Sequence, residues 1–241
     1  MPYFAGLAMF PKSPLFYVLL VIAGNAASAQ TLGAETIKGT IRFAGVPIEQ
    51  KTIPTTIDQY VCGKEKAAEV LLVSADKGIR NVVVSIENPP ALGLRAPAPP
   101  VVLDQKECTF VPHVVVAPIN EPVLFLNTDR LLHNLHSIST LNARFNRAQP
   151  KGRTIQMAFK IPEKIRIECD LHTWMHAWVV VAEHPFYTVT NDRGAFVLEN
   201  VPPGSYTLRV WQESLGTVTK DVAVAPQVGT DVIIEMSPVK P

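Results

Sequence analysis

The chain has 241 residues, of which 47% are hydrophobic and 18% charged, and its formal net charge is +1. This length allows one large domain or two modest ones, and the apolar content is sufficient for a buried core. The small net charge, without long basic or acidic runs, argues against nucleic acid or an anionic membrane as the main partner. Proline is abundant, at 21 residues, and Val and Ile are frequent, which favours strands joined by turns over helices.

The first 29 residues are typical of a secretory signal peptide. Lys12 provides positive charge, Leu15 to Gly24 is an uncharged apolar run, and an Ala-Ser-Ala sequence follows before the expected cleavage site. Because the apolar run is shorter than the roughly 20 residues that span a bilayer, we expect cleavage, no membrane span in the mature chain, and a periplasmic or secreted location. An uncleaved anchor is the alternative, and translation starts at either Met1 or Met9.

Short segments with the alternation or β-branched content of strands follow along the chain. They predict strands at 36–43, 82–86, 113–116, 122–127, 155–159, 165–169 and 177–181. The stretch 88–100 contains five prolines and is predicted to be a loop. Because no long amphipathic helix is evident, the sequence predicts an all-β sandwich or barrel.

The pattern changes near residue 184. Turn sequences at 191–194 and 201–204 separate the further predicted strands 188–190, 195–198, 205–211, 217–224 and 231–236. This part of the chain contains no Cys and a single His, His184, at its start. We therefore predict a second unit, residues 184–241, that has no side chains for redox chemistry.

Cys169, His172 and Met175 bring a thiol, an imidazole and a thioether within seven residues. Cys169 ends an alternating strand, and the two-residue gap after it lets the chain turn back, so that His172 approaches the same point. Met175 then approaches from a third direction. These soft ligands suit a metal such as copper, which cycles between Cu(I) and Cu(II), and a bound metal deprotonates a coordinating thiol.

A second imidazole is available from His133 or His136, and the register of one strand decides which of them faces the cluster. His176 competes with Met175 as the fourth, axial ligand. Zinc is the rival metal, although one Cys beside a thioether is unusual for structural zinc. A multicopper oxidase would need His-x-His pairs, which the chain lacks. His113 is expected to be a strand-edge or hydrogen-bonded residue.

Three cysteines in an exported chain are an odd number, which requires an explanation in an oxidising compartment. If Cys169 binds a metal, Cys62 and Cys108 are left to form a disulfide. Such a bridge would stabilise the fold by about 2–4 kcal/mol. Two separate buried thiols are the alternative.

The spacing Cys169-x-x-His172-x-x-Met175, together with His133-Asn134, resembles the blue-copper cupredoxins of the amicyanin type. The resemblance covers about residues 112–182 and implies a Greek-key sandwich that binds one copper ion. It also implies that His133, Cys169 and His172 form a trigonal plane, that Met175 is a long axial ligand, and that Asn134 braces the ligand loops. The chain differs from that family in having Thr-Trp between His and Met, where the family has Pro-Phe.

The second unit resembles carboxypeptidase regulatory-like modules, which are small transthyretin-like β-sandwiches and usually serve as structural or interaction units. The expected organisation is therefore a signal peptide at 1–29, a cupredoxin-like copper domain at 30–183 and this module at 184–241. Residues of about 47–110 have no counterpart in a minimal cupredoxin and are expected to be an insertion that carries the Cys62–Cys108 bridge.

The resemblance implies a one-electron carrier and no enzymatic activity. An exposed edge of His172 is then the expected electron port, and the expected partners are redox proteins of the cell envelope that dock weakly on a small surface. The alternative is a cell-envelope binding or structural module in which the metal is structural, stored or absent.

Overall fold

The computed structural model describes residue 1 and residues 33–46, 49–90 and 99–238. The expected signal peptide and its cleavage site lie outside this part of the chain, as does most of the predicted proline-rich loop. The described residues form eighteen strands and one short helix, so the all-β class is confirmed. Within the same residues, no helix has the length and apolar character needed to span a bilayer.

The strands, in chain order, are β1 (Glu35–Phe43), β2 (Thr52–Pro54), β3 (Glu65–Ala67), β4 (Val83–Ile86), β5 (Val101–Lys106), β6 (Thr109–Val111), β7 (Val114–Pro118), β8 (Pro122–Asn127), β9 (His133–Ile138), β10 (Asn146–Gln149), β11 (Ile155–Ala158), β12 (Lys164–Glu168), β13 (His176–Ala182), β14 (Tyr187–Val189), β15 (Ala195–Val201), β16 (Gly204–Gln212), β17 (Gly216–Val224) and β18 (Thr230–Met236). The helix is α1 (Gln59–Cys62), between β2 and β3.

The first sandwich consists of a five-stranded sheet, in the order β10-β9-β12-β13-β7, and a four-stranded sheet, in the order β11-β8-β5-β6. Its core follows from the alternation along each strand, because every second side chain faces the other sheet. Val123 and Phe125 of β8 meet Ile165 and Ile167 of β12 in this core, and all four are fully buried. Cys169 continues the inward face of β12 just beyond its end.

The second sandwich consists of the sheets β15-β1-β18 and β14-β4-β16-β17. Strand β1 pairs in parallel with β18 and antiparallel with β15, and β4 lies between β14 and β16. Strand pairing therefore does not follow the boundary expected between residues 183 and 184. In each sheet, one strand from the N-terminal part of the chain lies between two C-terminal strands: β1 between β15 and β18, and β4 between β14 and β16. Their apolar side chains, such as Ile41 and Val84, are buried in the core of the second sandwich.

The expected insertion at about 47–110 is likewise divided among several parts of the fold. Strands β5 and β6 belong to the first sandwich and β4 to the second. Strands β2 and β3, with α1 between them, form a separate two-stranded sheet that belongs to neither sandwich. Cys62 at the end of α1 and Cys108 before β6 are joined by a disulfide, with Cα atoms 5.4 Å apart, which links this segment to the first sandwich.

The two sandwiches pack together through an apolar interface. Alternation along β13 places Ala177, Val179 and Val181 in the first core, so that Trp178 and Val180 face outward. Trp178 packs edge-to-face against Trp211 of β16, with ring centroids 5.1 Å apart. The outward face of β13 is therefore covered by the second sandwich.

Candidate metal centre

Three donor atoms converge at one end of the first sandwich. The Nδ1 atoms of His133 and His172 lie 2.9 Å apart, and Cys169 Sγ lies 3.8 Å and 3.6 Å from them. All three residues are at most 1% exposed. Metal–nitrogen bonds are about 2.0–2.1 Å and metal–sulfur bonds about 2.3 Å, so one ion can contact all three atoms after small shifts. The donor set and its burial fit a copper ion.

Backbone hydrogen bonds shape the loop between Cys169 and Met175. The Cys169 amide donates to the Met175 carbonyl at 3.2 Å, and the Met175 amide donates to the His172 carbonyl at 2.8 Å. These bonds close the turn that the spacing of the three residues predicts, and they return His172 to the thiol. Met175 is buried in the first core. Its role as the axial ligand stays a prediction.

A carboxylate holds the outer nitrogen of each imidazole. His133 Nε2 lies 2.9 Å from Asp129 Oδ2, and His172 Nε2 lies 3.1 Å from Asp58 Oδ2. Hydrogen bonds of this kind fix the orientation of a ligand histidine and leave its Nδ1 lone pair free for a metal. Neither carboxylate is among the site residues that the sequence predicts. Asp129 stands four residues before His133, which is a weak signal, whereas Asp58 is 114 residues from His172 and has no sequence signal.

The charges of the metal-free site are set by these contacts. Burial would raise the pKa of Cys169, but hydrogen bonds from His133 and from the backbone of Asn134 and His172 outweigh it, so the pKa is lowered. Burial would lower the pKa of His133, but hydrogen bonds with Asp129 and Cys169 raise it to about 9. The pKa of His172 is lowered, mainly by burial. The metal-free site therefore favours a thiolate at Cys169 and a neutral imidazole at His172, which are forms that bind metals. His133 favours its protonated form, so a metal that binds its Nδ1 atom would displace a proton.

Asn134 connects the strand that carries His133 with the loop that carries Cys169. Its side-chain oxygen accepts from the Asp170 amide at 2.7 Å, and its side-chain nitrogen donates to Asp170 Oδ2 at 3.0 Å. The same nitrogen donates to Asn146 of β10 at 2.8 Å. These contacts are those of a residue that braces the ligand loops.

The two alternative histidines lie away from the cluster. His136 is on the opposite face of β9 from His133, where its Nδ1 lies 2.9 Å from Asp170 Oδ1 at the surface. His176 faces the second sandwich, with its Nε2 3.1 Å from Glu213 Oε2. The group formed by His133, Cys169 and His172 therefore includes neither of them.

The expectation of an exposed His172 edge is wrong, because His172 is only 1% exposed. Its Nε2 is covered by Asp58, at the start of α1, and its ring packs against Trp174 with centroids 5.2 Å apart. Trp174 in turn donates to the Cys108 carbonyl at 3.0 Å. The segment that the disulfide joins to the first sandwich thus covers the His172 ring. Leu171 and Thr173, on either side of His172 in the loop, both reach the surface, and Leu171 is 44% exposed.

Solved structures similar to the chain are copper proteins. A copper-containing nitrite reductase (NirK) from Thermus scotoductus SA-01 is 24% identical over 40% of this chain and 26% of its own, with a TM-score of 0.34. An oxidised amicyanin mutant is 17% identical over 41% of this chain and 98% of its own, with a TM-score of 0.33. A purple cupredoxin from Nitrosopumilus maritimus is 19% identical over 34% of this chain and 99% of its own, with a TM-score of 0.31.

No curated protein matches the chain. The chain spans about a quarter of the nitrite reductase and nearly the whole length of the two small cupredoxins. Residues 175–237 match the family of carboxypeptidase regulatory-like domains, a region that begins at Met175 and contains strands β13 to β18. The protein is thus an all-β chain whose structural neighbours are cupredoxins and whose C-terminal part matches the carboxypeptidase regulatory-like domain.

Proposed function

We propose that the protein is an exported carrier of single electrons that holds one copper ion between His133, Cys169 and His172. The observation that carries this proposal is the convergence of two Nδ1 atoms and one sulfur, while both outer nitrogens are bound by carboxylates. His133, Cys169 and His172, with Met175 as a further candidate ligand, would hold the copper, and the bound ion would supply the Cu(I)/Cu(II) couple. The Cys62–Cys108 disulfide supports export, because such bridges persist in oxidising compartments.

The protein's own residues would keep the site nearly the same in both oxidation states. Asp129 and Asp58 fix the two rings, Asn134 joins β9 to the loop that carries Cys169, and burial excludes water from the donor atoms. A site held in this way reorganises little, which favours electron transfer. The same burial prevents a substrate from reaching the donor atoms while Asp58 is in place, which supports a carrier and argues against an enzyme.

With His172 covered, we propose that electrons leave the site near Leu171, the exposed apolar residue adjacent to it. Partner redox proteins of the cell envelope would dock on this surface. Electron-transfer contacts are usually small, below about 1,200 Å² of buried surface.

The test is the visible spectrum and the voltammetry of the purified protein loaded with Cu(II). We expect an intense thiolate-to-copper absorption band and a reversible one-electron couple. Cys169→Ser should abolish both, whereas the control variant His136→Gln, which changes a surface histidine outside the cluster, should retain both. A colourless Cu(II) complex of the wild-type protein would refute the proposal.

A second candidate function is favoured by the match of residues 175–237 to carboxypeptidase regulatory-like domains. On this alternative the protein is a cell-envelope binding module, and its copper is structural or stored. Copper would then bind to Cys169 without a reversible couple. Voltammetry of the loaded protein distinguishes the two functions.

A further inference from the structure

A second cluster of metal-ligand side chains lies where the two sandwiches meet. His113 precedes β7, His176 begins β13 and Glu213 follows β16. His113 Nε2 lies 2.5 Å from Glu213 Oε1, and His176 Nε2 lies 3.1 Å from Glu213 Oε2. The two imidazole rings meet edge-to-face, with centroids 4.9 Å apart. Neither sandwich alone contains all three residues.

The cluster is shielded from solvent. The side chains of His113, Glu213 and His176 are 1%, 7% and 11% exposed. Burial would raise the pKa of Glu213, but hydrogen bonds from both histidines and from Trp178 lower it to about 2. A buried negative charge is costly unless hydrogen-bond donors or a cation compensate it. The cluster therefore presents an ionised carboxylate beside two imidazoles.

The groups around the cluster are arranged like the outer contacts of a metal site. Trp178 Nε1 donates to Glu213 Oε2 at 2.8 Å, which orients the carboxylate. His113 Nδ1 is buried without a hydrogen-bond partner, and the nearest carboxylate oxygen, Glu69 Oε2, lies 3.7 Å away. Metal-bound histidines commonly direct their other nitrogen at a carboxylate. A small shift that turns Nδ1–H towards Glu69 would complete this pattern.

We propose that His113, His176 and Glu213 form a second metal site, distinct from the copper centre, for a divalent first-row transition ion such as Zn²⁺. Two imidazoles and one carboxylate are an established donor set for zinc. The three donor atoms lie within 4.8 Å of one another, so an ion about 2.0–2.2 Å from each can bind all three after modest adjustment. The ion would lie between the imidazole nitrogens and the carboxylate, in place of the hydrogen bonds that now join them.

The two sites are chemically distinct. The copper centre has a thiolate and is suited to a soft ion, whereas the second cluster has only nitrogen and oxygen donors, which suit a harder divalent ion. They are also adjacent in sequence, because His176 directly follows Met175. One strand, β13, therefore carries a second-site ligand immediately after the copper loop.

The test uses the full-length protein with one equivalent of copper bound, titrated with Zn²⁺ and followed by calorimetry and elemental analysis. We expect one Zn²⁺ per chain in addition to the copper. Glu213→Gln and His113→Gln should each weaken Zn²⁺ binding by about 100-fold or more. The control variants Glu87→Gln and His184→Gln change a carboxylate and a histidine outside the cluster, and they should bind Zn²⁺ like the wild-type protein.

A Cys169→Ser variant separates this site from the copper centre, because it should still bind one Zn²⁺ that depends on Glu213. Anomalous diffraction at the zinc edge should place the ion between the two sandwiches. The proposal is overturned if the copper-loaded wild-type protein takes up no further metal. It is also overturned if folded Glu213→Gln and His113→Gln variants bind Zn²⁺ as tightly as the wild-type protein.

Discussion

Replacement of Asp129 by Asn tests whether the carboxylate behind His133 stabilises both the fold and the copper site. Asp129 Oδ1 accepts from the Glu107 amide at 2.6 Å, and Oδ2 accepts from the Cys108 amide at 2.8 Å and from His133 Nε2 at 2.9 Å. An asparagine has one oxygen and one NH₂ group. In either orientation of the asparagine side chain, its NH₂ group would therefore face at least one of the N–H groups that now donate to the carboxylate.

The expected cost follows from the contacts that are lost. A hydrogen bond to a charged group contributes about 1.5–3 kcal/mol, and a buried donor left without a partner costs about 1–3 kcal/mol. We expect Asp129→Asn to lower the free energy of unfolding by about 2–4 kcal/mol. Because the carboxylate also orients a ligand histidine, copper affinity should fall by about 10- to 100-fold.

Urea unfolding of the metal-free protein and chelator competition for copper measure the two effects separately. Asp104→Asn is a matched control, because Asp104 accepts from the Thr128 amide and hydroxyl near the surface and contacts no histidine. The control should cost less than about 1 kcal/mol and leave copper affinity unchanged. If Asp129→Asn behaves like the control in both assays, the carboxylate does not support the site.

Three further predictions concern other contacts. Glu163 accepts six hydrogen bonds from residues 139–142, which lower its pKa although burial would raise it, so Glu163→Gln should cost about 2 kcal/mol at pH 7. A carboxylate whose pKa is lower in the folded than in the unfolded protein stabilises the fold at a pH above its unfolded pKa, and this stabilisation is lost as the pH falls. The difference in urea midpoint between the variant and the wild type should therefore shrink below pH 4.5. A constant difference would contradict this prediction. Asp58→Ala removes the hydrogen bond behind one copper ligand and should weaken copper binding about tenfold by chelator competition, and unchanged affinity would refute that role. Replacing Cys62 and Cys108 together by Ala should cost about 4 kcal/mol by thermal or urea unfolding, given the sequence separation of 46, and an unchanged midpoint would show that the bridge contributes nothing.

The local part of the copper site can be predicted from the sequence because it depends on strand alternation and one short loop. Cys169 shares the buried face of Ile165 and Ile167, and the backbone bonds of the following turn bring His172 back to it. The face of β13 on which His176 lies can also be predicted from the sequence. Ala177, Val179 and Val181 form one apolar series, which directs their neighbours to the other face of β13.

Other features depend on contacts between distant parts of the chain and have no local signal. The alternation of residues 36–43 predicts a strand, but nothing in it specifies a parallel partner nearly 200 residues later. Strand pairing crosses the predicted division at residue 184 for this reason, because the energy of strand pairing comes from complementary faces and not from sequence proximity. Asp58 is a similar case. Its position over His172 depends on the disulfide and on α1, both of which lie far from the ligand loop in sequence.

Strand β13 connects the loop that carries Cys169 and His172 with the second sandwich. The inward side chains of this strand lie in the core that holds Cys169, and its outward side chains His176 and Trp178 both bond to Glu213 of the second sandwich. The carbonyl of Met175, directly before the strand, accepts a hydrogen bond from the Cys169 amide. The strand that follows this loop is therefore held on both faces, by the first core and by Glu213. A metal site that reorganises little requires support of this kind. The part of the chain that matches the carboxypeptidase regulatory-like domain would thus help to hold the proposed metal centre in place, although His133, Cys169 and His172 all lie outside it.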